Sequence, residues 1–175
     1  MNEVLLAIDP GNIQSAFCFV DIETYKPLYF AKEDNKDVMR HILDYIQGSD
    51  TAAPSNVHDV AIEMVASYGM AVGKSVFDTC VSIGRFSEAL ERIGVKVTYV
   101  YRKDEKMCIC GQMRAKDSNI RQALIDRFAK FDFKNGKGTK KEPDWFYGFK
   151  ADCWSAYAVA ITWIDAHKGL YELKG

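Results

Sequence analysis

Three acidic residues stand where a side chain could take part in chemistry. Asp9 follows an apolar run and precedes Pro10 and Gly11, a pair that predicts a tight turn. Glu63 lies in the apolar run 60–64, although Glu is depleted in strands and an unpaired buried carboxylate is costly. Asp152 lies at the start of an alanine-rich helical segment, where an acid also interacts favourably with the helix dipole. Each acid taken alone is compatible with a structural role.

Taken together, the three acids predict a metal site. Hard divalent cations bind oxygen ligands, and Mg²⁺ often uses one or two carboxylates together with substrate phosphates. Two such ions roughly 3.5–4 Å apart can activate a water and stabilise the leaving oxygen of a phosphodiester. Ligands of this kind need rigid support, because a displacement of about 1 Å can cost 10²-fold in rate. Two strand ends and a helix start provide that support.

Patterns along the chain predict the elements that would hold these acids. Apolar runs separated by turns predict three antiparallel strands, at 3–8, 15–21 and 27–31. Further strands are predicted at 57–64 and 95–101, and helices at 37–46, 76–90, 118–131 and 151–167. Loops are predicted at 49–56, 67–74 and 133–143. Gly84, inside a helix, is expected to mark close packing against a neighbour. The order predicts one mixed-sheet α/β domain over residues 1–175.

Composition narrows the class of protein. Hydrophobic residues make up 48% of the chain and charged residues 27%, which indicates a packed core. No stretch approaches the ~20 apolar residues of a membrane-spanning helix, and the N-terminus predicts a strand rather than a signal peptide. We therefore expect a soluble cytoplasmic protein. Five cysteines do not suggest a disulfide framework. Cys108 and Cys110 lack further ligands at zinc-finger spacing, and we interpret them as strand residues.

The charge is distributed unevenly. The net charge is −1, but residues 102–141 hold 12 Lys and Arg against 5 Asp and Glu. A basic segment inside an acidic body suggests a contact surface for a polyanion. A solvated loop and helix face is the alternative.

The motifs, in their order, resemble a known family. The sequences LAIDPG at 6–11, AIE at 61–63 and ADCWSAYAVAIT at 151–162 are similar to the RuvC-like Holliday junction resolvases of the ribonuclease H-like superfamily. EKMCICG at 105–111, followed by RAK at 114–116, resembles the basic segment of that family before its penultimate helix. The resemblance runs from about residue 4 to 163. Length and divergence suggest the bacteriophage branch.

The resemblance implies a structure-selective DNA endonuclease with a ribonuclease H-like mixed sheet, three antiparallel strands followed by parallel strands, flanked by helices. Such an enzyme works as a homodimer with Mg²⁺ or Mn²⁺, two ions per active site, and nicks four-way junctions in the host cytoplasm if phage-encoded. Asp9, Glu63 and Asp152 match three of the metal-binding acids of the family. Lys106 matches its active-site lysine, which could stabilise charge on the scissile phosphate.

Ser155 departs from the family pattern. A second acid usually stands there, one helical turn after the position of Asp152, and Ser is a poorer ligand for a hard cation. Either Asp152 alone serves the second metal, or Asp144 reaches in from the preceding loop. Reduced activity is the third alternative.

Further residues are expected to contact DNA. The resemblance places a junction-probing loop just after Glu63, where an aromatic side chain could stack on an unpaired base. Alternatively, the aromatic side chain packs within its own loop. The lysines of the polar loop 133–143 could likewise serve only solubility. The expected contacts are Tyr68, Met70, Lys74, Lys103, Arg114, Lys116, Lys137, Lys140 and Lys141. Phe77 and Phe86 are interpreted as either core or dimer face.

Two other functions compete with the nuclease. A non-catalytic module that binds branched DNA on the same fold is motivated by Ser155. An ATP-using protein of the actin and sugar-kinase superfamily would share an Asp-x-Gly motif, but the chain is short for two such domains. Gly73 to Ser75 resembles part of a P-loop, but Tyr68 occupies the position of its first glycine.

Overall fold

The computed structural model describes residues 3–48 and 56–175. These residues form a five-stranded sheet and five helices. The strands are β1 (Val4–Asp9), β2 (Gln14–Asp21), β3 (Pro27–Asp34), β4 (Val57–Met64) and β5 (Lys96–Tyr101). The helices are α1 (Asn35–Ile46), α2 (Lys74–Arg92), α3 (Arg102–Cys110), α4 (Asp117–Phe128) and α5 (Ala151–His167). The predicted loop at 49–56 lies outside the described residues except for Asn56.

The sheet is mixed, as predicted. Its strand order is β3-β2-β1-β4-β5. The first three strands pair antiparallel, whereas β4 pairs parallel with both β1 and β5. Because β1, β4 and β5 run in the same direction, their carboxyl ends lie at the same edge of the sheet.

Helices cover both faces of the sheet. Side chains alternate along β1, so Leu5 and Ala7 pack against α5, whereas Leu6 and Ile8 pack against α1 and α2. Burial on both faces explains why this strand is a continuous apolar run. Helix α5 is buried around nearly its whole circumference, which explains its lack of an amphipathic pattern.

Three element predictions need correction. Strand β3 continues to Asp34 rather than ending at Ala31, because it stays paired with β2 through the register Gln14↔Asp34. Helix α4 ends at Phe128, three residues earlier than predicted, where Ala129 turns to an extended conformation. The pattern predicts strand residues at Cys108 and Cys110, but both lie on helix α3. This helix ends at Gly111, which has the left-handed conformation.

Within the described residues, Gly84 does not pack closely against another element of this chain, contrary to the prediction. Gly84 lies on the exposed side of α2, with no atom within 4 Å of the place a Cβ would occupy. Phe86 belongs to the core at 1% exposure, whereas Phe77 is 61% exposed. All five cysteines are free. Within the described ranges, no helix combines the length and the apolar character needed to cross a membrane.

Candidate active site

Two of the predicted acids lie side by side at the edge where β1 and β4 end. Ile8 pairs with Ile62, and Asp9 and Glu63 are the next residues on these two neighbouring strands. Side chains alternate along a strand, so both acids share the sheet face of Ala7 and Ala61, which is the face packed by α5. Asp152 lies in the first turn of α5. The sheet and its covering helix therefore bring all three acids to one edge.

Lys32 is a neighbour of this site that the sequence did not reveal. Asp9 pairs with Ala16 and Ala16 pairs with Lys32, so the three residues form one row across β1, β2 and β3. The Nζ atom of Lys32 lies 2.5 Å from Oδ2 of Asp152, and both side chains are about 40% exposed. This hydrogen bond raises the pKa of Lys32, so the lysine stays charged. A sequence pattern could have found Lys32 only if the predicted strand had been extended past Ala31. Lys32 would then lie on the same face of β3 as Phe30.

The carboxyl groups of Asp9 and Glu63 are close enough for each to affect the ionisation of the other. Burial, and then the charge of Glu63, raise the pKa of Asp9 to about 8. Burial, and then the charge of Glu105, raise the pKa of Glu63 to about 7. The charge of Asp152 also raises the pKa of Asp9, although less than burial and Glu63 do. Without a cation, the Asp9–Glu63 pair therefore retains a proton near neutral pH.

A fourth acid, Glu105, affects the ionisation of Glu63, and the sequence patterns assigned it no role. It is on α3 and fully buried, and its Oε1 has no hydrogen-bond partner among the residues that the structure describes. Its Oε2 accepts a hydrogen bond of 2.5 Å from Arg102, which also pairs with Asp117 at the start of α4. Burial is the main cause that raises the pKa of Glu105 to about 8. The only signal available was its position one turn after a strand end.

Two cavities open on either side of Arg102. One, of about 360 Å³, is lined by Asp152, Ser155 and Arg121 among others. The other, of about 270 Å³, is lined by Glu63 and by the loop that carries Tyr68 and Met70. Glu63 and Asp152 therefore line two neighbouring cavities that share Arg102 as a wall, and we call the two cavities together the cleft. Ser155 lines the same cavity as Asp152, and the other acid that lines it, Asp117, is paired with Arg102.

The donor set fits a hard divalent cation. A bound cation stabilises buried carboxylates that lie close together. Among the described residues, the carboxylate oxygen Oε1 of Glu105 has no hydrogen-bond partner, and it adds negative potential at this site. In the part of the chain that is described, no three His, Cys, Asp or Glu side chains already form a cluster tight enough to hold a metal. Asp152 is bound instead by Lys32.

Asp144 is not available as a replacement for the missing acid. Its carboxylate accepts hydrogen bonds from the backbone N–H groups of Lys130, Phe131, Asp132 and Trp145. These bonds hold the pKa of the largely buried carboxylate at about 2. The alternative in which Asp144 reaches into the metal site is therefore not supported.

The predicted DNA contacts lie on several surfaces. Lys106 follows Glu105 on α3 and is half-buried. Among the described residues, the basic side chains that form ion pairs with the site acids Asp152 and Glu105 are instead Lys32 and Arg102. Tyr68 and Met70 are 53% and 71% exposed beside Glu63. Lys74 pairs with Asp78 at 2.5 Å. Lys103 and Lys137 are partly exposed, and Arg114, Lys116, Lys140 and Lys141 are exposed.

Comparison with known proteins identifies the fold. No family model matches the sequence, and no curated protein matches it. A structure of RuvC from Thermus thermophilus in complex with a Holliday junction substrate matches with a TM-score of 0.67 at 15% identity, over 98% of this chain and 99% of that one. A second T. thermophilus RuvC structure matches with a TM-score of 0.65 at 17% identity, over 97% and 99%. The chain therefore has the fold of the RuvC Holliday junction resolvases, as its motifs predicted.

Proposed function

We propose that the protein is a divalent-metal-dependent endonuclease that nicks four-way DNA junctions. The observation that carries this proposal is the placement of Asp9 and Glu63 at the carboxyl ends of neighbouring parallel strands, on the sheet face packed by α5, with Asp152 in the first turn of α5. Buried acids of this kind destabilise a protein unless a cation or a proton compensates them. The RuvC fold, seen in one neighbour with a Holliday junction bound, supports branched DNA as the substrate.

Asp9, Glu63 and Asp152 are the residues we assign to Mg²⁺ or Mn²⁺. When bound, the metal would supply the charge that lowers the pKa of an attacking water and stabilises the leaving oxygen of the phosphodiester. To hold the metal, Asp9 and Glu63 would both be ionised and Asp152 would separate from Lys32. The charged Lys32 side chain would then be free to contact a DNA phosphate.

Arg102 and Lys106 are the basic residues of α3 that we assign to the scissile phosphate. Arg102 lies between the two cavities and is oriented by Glu105, so its guanidinium is held in place before substrate arrives. Preorganised cations stabilise charge that develops in a transition state without a cost of reorganisation. Lys106, one residue further along α3, would add a second cation as the strand breaks.

Exposed residues around the cleft would hold the DNA. Tyr68 has a φ of 45°, an uncommon backbone conformation for a residue other than glycine, and presents its ring beside Met70 at the mouth of the Glu63 cavity. We assign both to the branch point, where bases are unstacked most easily. The basic residues Lys74, Lys103, Arg114, Lys116, Lys137, Lys140 and Lys141 would contact phosphates, which makes affinity depend steeply on salt.

A homodimer would let two such sites cut symmetrically. Helix α2 carries Phe77 and Val81, which are 61% and 55% exposed, and Gly84 follows with open space above it. Exposed apolar side chains beside a glycine allow two helices to approach closely. We assign this face of α2 to a two-fold interface, in which the same patch is used by both subunits.

A second candidate is a module that binds branched DNA without cutting it. Ser155 in the Asp152 cavity and the Lys32–Asp152 ion pair favour it, because both weaken the second half of a metal site. The two functions differ in catalysis and share the surface that contacts DNA.

The deciding experiment uses purified protein with a labelled synthetic four-way junction, and a linear duplex of matching sequence as control. We expect paired, symmetric nicks in the junction and none in the duplex. The nicks should depend on Mg²⁺ or Mn²⁺, and Asp9→Asn should abolish them. A junction-specific gel shift without nicks in either metal would support the binding module. Equal binding of junction and duplex would contradict both.

A further inference from the structure

The segment between α4 and α5 exposes aromatic side chains in an unusual setting. We name residues 129–150 the aromatic–lysine loop. Phe131, Phe133 and Tyr147 are 45%, 56% and 45% exposed. Large apolar side chains grouped on a surface indicate a contact site. The cleft described above does not use any of the three.

Hydrogen bonds fix the backbone of the aromatic–lysine loop. Asp144 binds the N–H groups of residues 130–132 and of Trp145, so the two chain segments that carry the aromatic residues lie side by side. Asp132 accepts hydrogen bonds from the N–H groups of Asn135, Lys137 and Gly138. The exposed rings therefore stand on a preorganised backbone.

Packing joins this loop to the core beside the candidate active site. Phe146 is fully buried, and its ring centroid lies 4.4 Å from that of Trp154. Gly136, at a φ of 71°, has the Phe146 ring 2.7 Å from the position of a Cβ, so only glycine fits there. Trp154 follows Asp152 by two residues and lines the same cavity. The loop is thus anchored, through Phe146, to a residue that lines the Asp152 cavity.

The charge on the loop favours an anionic partner. Residues 129–150 contain six lysines and three acids, and two of those acids, Asp132 and Asp144, are engaged by backbone N–H groups. Within the described ranges, none of the six lysines forms an ion pair with a carboxylate. In contrast, Lys32, Arg102 and Arg127 are all paired. The loop therefore presents aromatic rings among unpaired cations.

We propose that the aromatic–lysine loop binds unpaired nucleotides of DNA, with bases stacked on Phe133 and Tyr147 and phosphates on the surrounding lysines. Aromatic rings combined with a basic surface are the chemistry that recognises single strands, because every base has a face that can stack. In a duplex those faces are covered by neighbouring bases. The inference rests on the proposed action on branched DNA, and it adds a second contact for strands that open near the branch.

The test measures affinity for a labelled oligothymidylate of about 12 nucleotides, a length within the site sizes of single-strand binding surfaces. A duplex of equal length is compared. All variants carry Asp9→Asn and are measured without metal, so cleavage does not interfere. Phe133→Ala and Tyr147→Ala should each weaken single-strand binding about tenfold, and change duplex binding less than about twofold.

Two further variants separate stacking from structure. Phe133→Trp should keep single-strand affinity, and its fluorescence should be quenched when the oligonucleotide binds. Leu170→Ala is the control for an exposed apolar residue: Leu170 is 68% exposed and lies beyond the far end of α5, about 25 Å from Asp152. It should bind both DNAs like the parent protein.

The outcomes are distinct from those of the nicking experiment. Equal loss of single-strand and duplex binding in the alanine variants would overturn the proposal, since the aromatic residues would then act only through phosphates or folding. Unchanged single-strand binding would also overturn it, and a protein partner would become the alternative occupant. Because no variant needs to cut DNA, the loop can fail this test while junction nicking stands, and the reverse also holds.

Discussion

The Asp9–Glu63 pair leads to a prediction about stability that is independent of any substrate. Replacing Asp9 with Asn should stabilise the metal-free protein at pH 8 and leave its stability nearly unchanged at pH 4.5. Asparagine keeps the size of the side chain and can donate a hydrogen bond to Glu63. It removes the carboxyl that burial and the charges of Glu63 and Asp152 make difficult to ionise, against the opposing effect of Arg102.

The sign follows from proton linkage. The pKa of Asp9 rises from 3.8 in the unfolded chain to about 8 in the folded protein. Between these values the folded state holds a proton that the unfolded chain has released, so the free energy of unfolding falls as the pH rises from about 4 to 8. The full difference corresponds to about 6 kcal/mol, at about 1.36 kcal/mol for each pKa unit.

We expect a smaller effect in practice. Asp9 is only half-buried and its ionisation is affected by Glu63, so remaining water and the neighbouring carboxyl reduce the expected gain to about 2 kcal/mol at pH 8. For a protein of this size, that gain corresponds to a rise in Tm of about 4–8 °C. Below about pH 4 both forms are neutral at this position and the gain disappears.

The assay is thermal unfolding of parent and variant with a chelator, from pH 4.5 to 8.5. Asp44→Asn, which removes an exposed carboxylate on α1, serves as the control and should give no gain that grows with pH. Adding Mg²⁺ at pH 8 should raise the Tm of the parent more than that of Asp9→Asn. A variant that is less stable than the parent at pH 8, or equally shifted at both pH values, would refute the electrostatic argument.

Three further predictions concern the second half of the metal site and its surroundings. Ser155→Asp should tighten binding of Mg²⁺ about tenfold and raise the rate of junction nicking, because it adds a carboxylate ligand to the Asp152 cavity. Calorimetric titration measures the metal affinity, and a single-turnover assay measures the nicking rate. Lys32→Met should tighten metal binding by no more than about fivefold, since a half-exposed ion pair is worth at most about 1 kcal/mol. Asp144→Asn should lower the free energy of unfolding by about 2–4 kcal/mol in denaturant titration, because it disrupts four charge-assisted hydrogen bonds, and should leave metal affinity unchanged.

Each of these predictions has a result that would contradict it. Ser155→Asp with weaker metal binding would mean that the cavity around Asp152 is not part of the metal site. Lys32→Met with loss of metal binding would make the lysine a support of Asp152 rather than its competitor. Loss of metal affinity in Asp144→Asn, with stability retained, would restore the alternative in which this carboxylate is a ligand.

Several features of the site could be predicted because they depend on local patterns. Apolar runs define the strands, and a strand ends where a turn residue or polar side chain interrupts the run. Asp9 and Glu63 therefore had to lie at strand ends, and Asp152 at the start of a helix. The parallel pairing of β1 and β4 then brings the first two together at one edge.

Other features depend on contacts between distant parts of the chain. Lys32 and Asp152 are 120 positions apart, and no local pattern connects them. The backbone hydrogen bonds that engage Asp144 form only when the loop closes back on residues 130–132. A sequence pattern shows that an acid is present; only packing shows whether its oxygens are already occupied.

Sequence patterns predicted the five strands, four of the five helices, the mixed sheet and the three acids, because period-two and helical patterns record which faces are buried. They did not predict α3, and the electrostatics of the site depend on the packed structure. Burial raises the pKa of Asp9, Glu63 and Glu105, and a contact between distant parts of the chain gives Asp152 its lysine. Charge and desolvation act through space, so residues far apart in sequence set the chemistry of a site that sequence patterns can only locate.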